Sequence, residues 1–115
     1  MVIKEITAQE FIENYNDNNF EVIDIRERDE FDLVHISESK LIPMKEVMSR
    51  LDEIDFSKKV IIVCRTGSRS RFVCSWFEKE GKQVYNLSNG ILALKQAEFD
   101  KLKIKDEDLA NIYLK

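Results

Sequence analysis

The sequence predicts an α/β domain in which helices pack on a largely parallel sheet, and two stretches carry that prediction. Val60-Ile61-Ile62-Val63 is a run of four β-branched residues, too short and too uniformly apolar for an amphipathic helix, and it suits a strand buried on both faces. It runs into a small basic loop, after which Phe72, Val73, Trp76 and Phe77 recur at helical spacing with Arg71, Ser75, Glu78 and Lys79 between them. Gly81 is placed to cap that helix. A second unit of the same kind follows: a strand over 83–87, a turn at Ser88-Asn89-Gly90, and a helix from Ile91 to Phe99.

The remaining elements follow from local signals. Val2 to Ile6 reads as a first strand, and Thr7-Ala8-Gln9-Glu10 has the spacing of a capping box opening a helix that turns Phe11, Ile12 and Tyr15 to the core. Asn16-Asp17-Asn18-Asn19 is a turn, because its four side chains compete for backbone hydrogen bonds. Phe20 to Ile25 is a strand, and Arg28 to Phe31 gives one helical turn. His35-Ile36 is a short extended piece, and Leu41-Ile42-Pro43 ends another. Met44, Val47, Met48 and Leu51 form a helical stripe read as core, and Asp52 to Lys59 connects to the central strand. The tail from Asp100 sets Leu102, Ile104, Leu109, Ile112 and Leu114 among charges. Residues 106–114 read as a last helix, which either packs on the domain or joins two copies.

At 115 residues, with 43% hydrophobic and 35% charged residues, the chain has the composition of one soluble domain. No apolar run reaches membrane-spanning length and the N-terminus lacks a secretion pattern, so a cytoplasmic address is expected. The net charge of −4 argues against nucleic acid as a partner and makes the loop arginines a local positive site on an acidic body. Cys64 and Cys74 are too few for a disulfide framework. With no zinc-type Cys/His cluster and no nucleotide-type glycine loop, neither a metal nor an organic cofactor is expected.

The chemistry concentrates in Cys64-Arg65-Thr66-Gly67-Ser68-Arg69-Ser70. Cys64 closes the buried strand, at the sheet edge where loop amides and a helix N-terminus converge. The helix end, Arg65 and Arg69 favour a nucleophilic thiolate there, and Gly67 lets the chain curl until successive N–H groups face one point. Arg26, leaving the strand that ends near Ile25, borders the same rim if the two strands run parallel, so Asp24 and Arg26 can help set the loop. Cys74 would lie about 9 Å along the helix from the end facing Cys64, beyond disulfide reach, and reads as packing.

The loop resembles the C-x-x-G-x-R-S loop of the rhodanese-like family of single-domain sulfurtransferases. Ile23-Asp24-Ile25-Arg26-Glu27 upstream and Val84-Tyr85-Asn86-Leu87-Ser88-Asn89-Gly90-Ile91 downstream extend the resemblance over about residues 5–98. It implies a three-layer sandwich, with a mostly parallel central sheet of about five strands and helices on both faces. It implies a domain over 1–100 with a helical extension over 101–115, a structural ion pair for Asp24 and Arg26, and a Cys64 that takes up sulfur as a persulfide. The family's G-H-I-P-G-A segment corresponds to Val34-His35-Ile36-Ser37-Glu38-Ser39, which keeps His and Ile but loses both glycines and the proline. His35 is read as structural, since a thiolate so placed needs no separate base. Asn89 stands where the family has a glycine, and Leu94 where it has a tryptophan.

The expected activity is therefore transfer of sulfane sulfur from thiosulfate or a persulfide to cyanide or a thiol. Cys64 is the nucleophile, Arg65 and Arg69 hold the donor, and Thr66, Gly67 and Ser68 act mainly through backbone N–H groups. The expected partners are a small sulfur-donor anion or a persulfide-carrying protein and a thiol acceptor, with monomer and homodimer both open. A cysteine phosphatase needs arginine six positions after the cysteine, where this chain has Ser70 with arginines on either side, and the short loop suits one sulfur better than a phosphoryl group. A non-catalytic binding module predicts a lost cysteine, whereas Cys64 and its basic loop are intact.

Overall fold

The computed structural model describes residues 3–16 and 18–115. Five strands, β1 (Glu5–Ile6), β2 (Phe20–Asp24), β4 (Lys40–Leu41), β5 (Lys59–Val63) and β6 (Tyr85–Leu87), form one sheet in the order β1-β6-β5-β2-β4. Every neighbouring pair in it is parallel, as buried β-branched strands favour. Among the described residues five α-helices accompany it: α1 (Ala8–Asn14), α2 (Arg28–Leu33), α3 (Ser68–Lys79), α4 (Gly90–Gln96) and α5 (Glu107–Tyr113). Among the described residues no helix is long and apolar enough to cross a membrane.

The layers follow from strand alternation. Along β5, Ile61 and Val63 join Phe20 and Val22 of β2 in one core with Phe11 of α1, Ile91 and Leu94 of α4, and Ala110 and Leu114. Val60 and Ile62 face the opposite side and join Ile23, Ile25, Val47 and the Val73, Cys74 and Phe77 side chains of α3. Cys64 continues that second series, so the register of β5 turns the cysteine toward α3.

Several local expectations hold. Thr7 and Glu10 form the capping box, Gly81 takes the left-handed conformation after α3, and Asn89 adopts φ 60°. Asn18 and Asn19 lie in a turn braced by the Asn16 side chain; Asp17, like Val2 of the proposed first strand, lies outside the described residues.

Three expectations are corrected. The stripe from Met44 to Leu51 is not an α-helix but two short 3₁₀ segments, Met44–Ser49 and Leu51–Glu53. With three residues per turn Met48 does not stay on the Val47 face, and it is 63% exposed while Val47 is buried. Met44 is exposed as well. Phe72 is 71% exposed, because it lies about 200° around α3 from Ser70, which shares the buried face with Val73, Cys74 and Phe77. The tail also holds a strand that the sequence reading did not place: β7 (Leu102–Ile104) pairs antiparallel with β3 (Val34–Ile36) as a separate two-stranded sheet. That pairing delivers α5, N-capped by Asp106, onto the domain.

Asp24 and Arg26 form a fully buried ion pair at 2.7 Å. The guanidinium also donates to the carbonyl of Val34 at 2.6 Å and of Glu30 at 3.3 Å, and to the Tyr113 hydroxyl at 3.3 Å. One side chain thus ties β2 to α2, β3 and α5. Arg26→Leu leaves the Asp24 carboxylate buried and unpaired, so it should cost about 3–5 kcal/mol in urea denaturation; a loss under about 1 kcal/mol would show that the pair is not what joins these elements.

Candidate active site

The loop after β5 turns its two kinds of backbone group in opposite directions. Gly67, at φ 98°, caps α3 from the left-handed region and points its N–H at Cys64 Sγ, 3.0 Å away. The N–H of Ser70 reaches the same sulfur at 3.4 Å. The carbonyls face outward: Ile91 donates its N–H to the Cys64 carbonyl and Leu92 to the Arg65 carbonyl, both at 3.1 Å. These are first-turn amides of α4 that have no partner within their own helix. The approach is close enough that a Cβ on Gly90 would stand 2.3 Å from the Cys64 oxygen and 2.6 Å from that of Arg65.

Cys64 itself is only 1% exposed. Its sulfur lies 3.3 Å from Ser70 Oγ, and a buried polar chain continues from there. Ser70 donates to Asn86 Oδ1, and Asn86 Nδ2 donates to Glu5 Oε1 at 3.0 Å and to the Gly67 carbonyl at 3.4 Å. Both partners of Nδ2 are acceptors, which orients the amide and commits its oxygen to the serine proton. Glu5 also accepts from Ser88 at 2.8 Å and pairs with Arg71. Thr66 and Ser68 line an outer polar cleft of about 300 Å³ with Glu5, Arg71 and Asn89.

The two loop arginines flank this centre, each held in place. Arg69 makes two bonds to Glu30, both at 2.9 Å, which raise its pKa further. Burial pushes the Glu30 carboxyl up, but Arg69, the Tyr113 hydroxyl at 2.5 Å and the Glu27 N–H outweigh it and bring it down to about 2. Burial, with the bond to Glu30, pushes the Tyr113 phenol upward, so it stays a donor. Arg65 donates from Nε to the Tyr113 carbonyl at 2.8 Å and from Nη2 to the main-chain oxygen of Lys115 at 3.4 Å, with its guanidinium 5.6 Å from the Tyr113 ring centre.

The structure therefore brings Cys64, Gly67 and Ser70 together, with Arg65 and Arg69 at the rim. His35 sits on β3, its Nδ1 2.8 Å from the Phe31 carbonyl and its ring stacked on Phe31. Cys74 is an unpaired buried thiol whose burial pushes its pKa up to about 12. Sequence reasoning missed Glu30, Tyr113, Asn86 and Glu5. Asn86 had a legible signal, a polar side chain inside a strand otherwise buried; the others did not, since their roles arise from contacts across dozens of residues.

A model of the rhodanese-like domain family matches residues 7–97. The Bacillus subtilis (strain 168) protein YtwF is 30% identical over 94 residues, covering 81% of this chain and 91% of that protein. The thiosulfate sulfurtransferase GlpE of Pseudomonas aeruginosa is 30% identical over 84 residues, covering 72% of this chain and 76% of that protein. The crystal structure of a rhodanese-related protein from Thermoplasma volcanium has the same fold, with a TM-score of 0.79 at 22% identity over 89% of this chain and 99% of that one.

Two outcomes follow from the site's geometry. In Gly90→Ala the loop has to move away from α4, so amide exchange at Gly67 and Ser70 should accelerate at least tenfold; unchanged protection would show that the loop does not depend on this contact. Because the Glu30 carboxyl is lowered in the folded state, its stabilisation is complete above its unfolded value near 4.5 and is lost as pH falls toward 2. The stability gap between wild type and Glu30→Gln should therefore close across that interval, and a gap that persists at pH 2 would contradict the assignment.

Proposed function

Because the chain belongs to the rhodanese-like domain family, we propose that it is a sulfurtransferase that carries sulfane sulfur on Cys64. The observation that supports this most directly is the pair of amides, from Gly67 and Ser70, aimed at a cysteine sulfur where a buried strand meets a helix N-terminus. Relatives named as sulfurtransferases support the same class of reaction.

In the first half-reaction the Cys64 thiolate attacks the outer sulfur of a donor. The donor's S–S bond breaks and its electron pair leaves with sulfite, when the donor is thiosulfate, or with a thiolate, when it is a persulfide. Cys64 then holds the extra sulfur as a persulfide anion, which the loop amides stabilise as they stabilise the thiolate. In the second half-reaction a thiolate or cyanide attacks the terminal sulfur, and the bonding pair returns to Cys64. Arg65 and Arg69 flank the loop where the donor's anionic end approaches, Arg69 with Glu30 as its partner, and Thr66, Gly67 and Ser68 shape the loop around the transferred atom. The phosphatase reading draws no support from these relatives.

Incubation with thiosulfate should add one sulfur atom to the intact mass, cyanide should then release thiocyanate, and Cys64→Ser should abolish both. Equal behaviour of wild type and Cys64→Ser would overturn the proposal. Arg69→Ala removes a cation and leaves the Glu30 charge uncancelled, so the second-order rate with thiosulfate should fall about tenfold or more; an unchanged concentration dependence would remove Arg69 from the donor site.

A further inference from the structure

Four arginines surround the loop, and three of them are matched by carboxylates. Arg26 pairs with Asp24, Arg71 with Glu5 and Arg69 with Glu30. Arg65 has no Asp or Glu side chain as partner among these; it is held by the carbonyl and ring of Tyr113 and by the main-chain oxygen of Lys115. Of the Arg65, Arg69 and Glu30 side chains, Glu30 cancels one of the two positive charges.

The pairing at Arg69 occupies the part of that side chain an oxyanion needs. Both terminal nitrogens are engaged by the two oxygens of Glu30, the same fork that would grip two oxygens of a sulfonate-like group. Glu30 is not a loose surface carboxylate: its side chain is 18% exposed and is fixed by Arg69, by the Tyr113 hydroxyl and by the Glu27 N–H. A dianion entering the rim must either displace Glu30 from these donors or sit beside its charge.

Building on the sulfurtransferase reading, we propose that Glu30 is a donor-selecting residue. By neutralising Arg69 it turns the site away from dianionic donors such as thiosulfate and toward organic persulfides. The charge balance gives the reason. Transfer from thiosulfate forms the Cys64–sulfur bond, breaks the donor S–S bond and expels sulfite with two negative charges. Transfer from an organic persulfide makes and breaks the same bonds and expels a thiolate with one. With Arg69 cancelled by Glu30, the rim has less positive charge to set against a two-charge leaving group, a deficit that weighs less on a one-charge thiolate. Tyr113 supports the arrangement from α5 as a positioning residue for Glu30.

The test compares two donors on the same chain: thiosulfate, and the persulfide of N-acetylcysteine methyl ester, which has no charge beyond its sulfur. The rate of sulfur addition is followed by intact mass and located to Cys64 by peptide mapping. The readout is the ratio of the thiosulfate rate constant to the persulfide one, which a general loss of structure does not move in a set direction. Glu30→Gln should raise the ratio about tenfold by freeing one cation. Glu30→Gln combined with Arg69→Gln should bring it back near the wild-type value, since the net charge is then restored. Tyr113→Phe, which keeps the packing ring but removes one donor to Glu30, should raise it about two- to threefold. An unchanged or lower ratio in Glu30→Gln, or a rise that survives removal of Arg69, overturns the role of Glu30 while leaving the sulfurtransferase reading intact. Failure of both donors to load Cys64 in the wild type overturns the sulfurtransferase reading, and this proposal with it.

Discussion

The contact between the loop carbonyls and the first turn of α4 is the constraint from which the site follows. A short loop at the end of a buried strand has to satisfy its backbone groups in a confined space. Here the carbonyls of Cys64 and Arg65 are taken up by the amides of Ile91 and Leu92, and the amides of Gly67 and Ser70 are thereby left to face the sulfur. Gly90 permits the approach because it has no Cβ, and Gly67 permits the curl because it accepts a positive φ. The cradle of amides around the sulfur and the packing contact are two sides of one piece of backbone. Mobility in α4 would therefore be felt at the sulfur.

Around that centre the polar residues are arranged as matched sets. The chain from Ser70 through Asn86 to Glu5 lets a buried strand position carry an amide, because each of its groups has a partner. The same holds for Arg26, whose complete burial is tolerated through Asp24 and three further acceptors. An acidic body with neutralised arginines at its active rim presents a weaker field to anions than the bare loop sequence suggests. That difference is the basis for reading charge matching as selectivity.

The C-terminal segment belongs to this arrangement. The β3–β7 pairing and the buried Ala110 and Leu114 hold α5 against the first core. Tyr113 then touches Arg26, Arg65 and Glu30 together. The tail thus contributes to the surroundings of a loop whose cysteine, Cys64, lies some fifty residues earlier.

Read alone, the sequence determined the α/β class, the parallel strands, the capping of α1 and α3, and the place of Cys64 at a strand end. These depend on residue type over a few neighbours: β-branching, helical period, a left-handed glycine. The family resemblance also implied a structural ion pair between Asp24 and Arg26, which the structure shows buried at and just past the end of β2. The sequence misplaced Met48 and Phe72, because an apolar residue at helical spacing has no fixed direction until the helix type and its buried face are known. It left Glu30, Tyr113 and Glu5 unremarked, and it read Arg69 as a free cation. Only the tertiary structure decided those, because the partner that cancels a charge comes from a distant element, and the spacing of residues along the chain does not contain the distance between them in space.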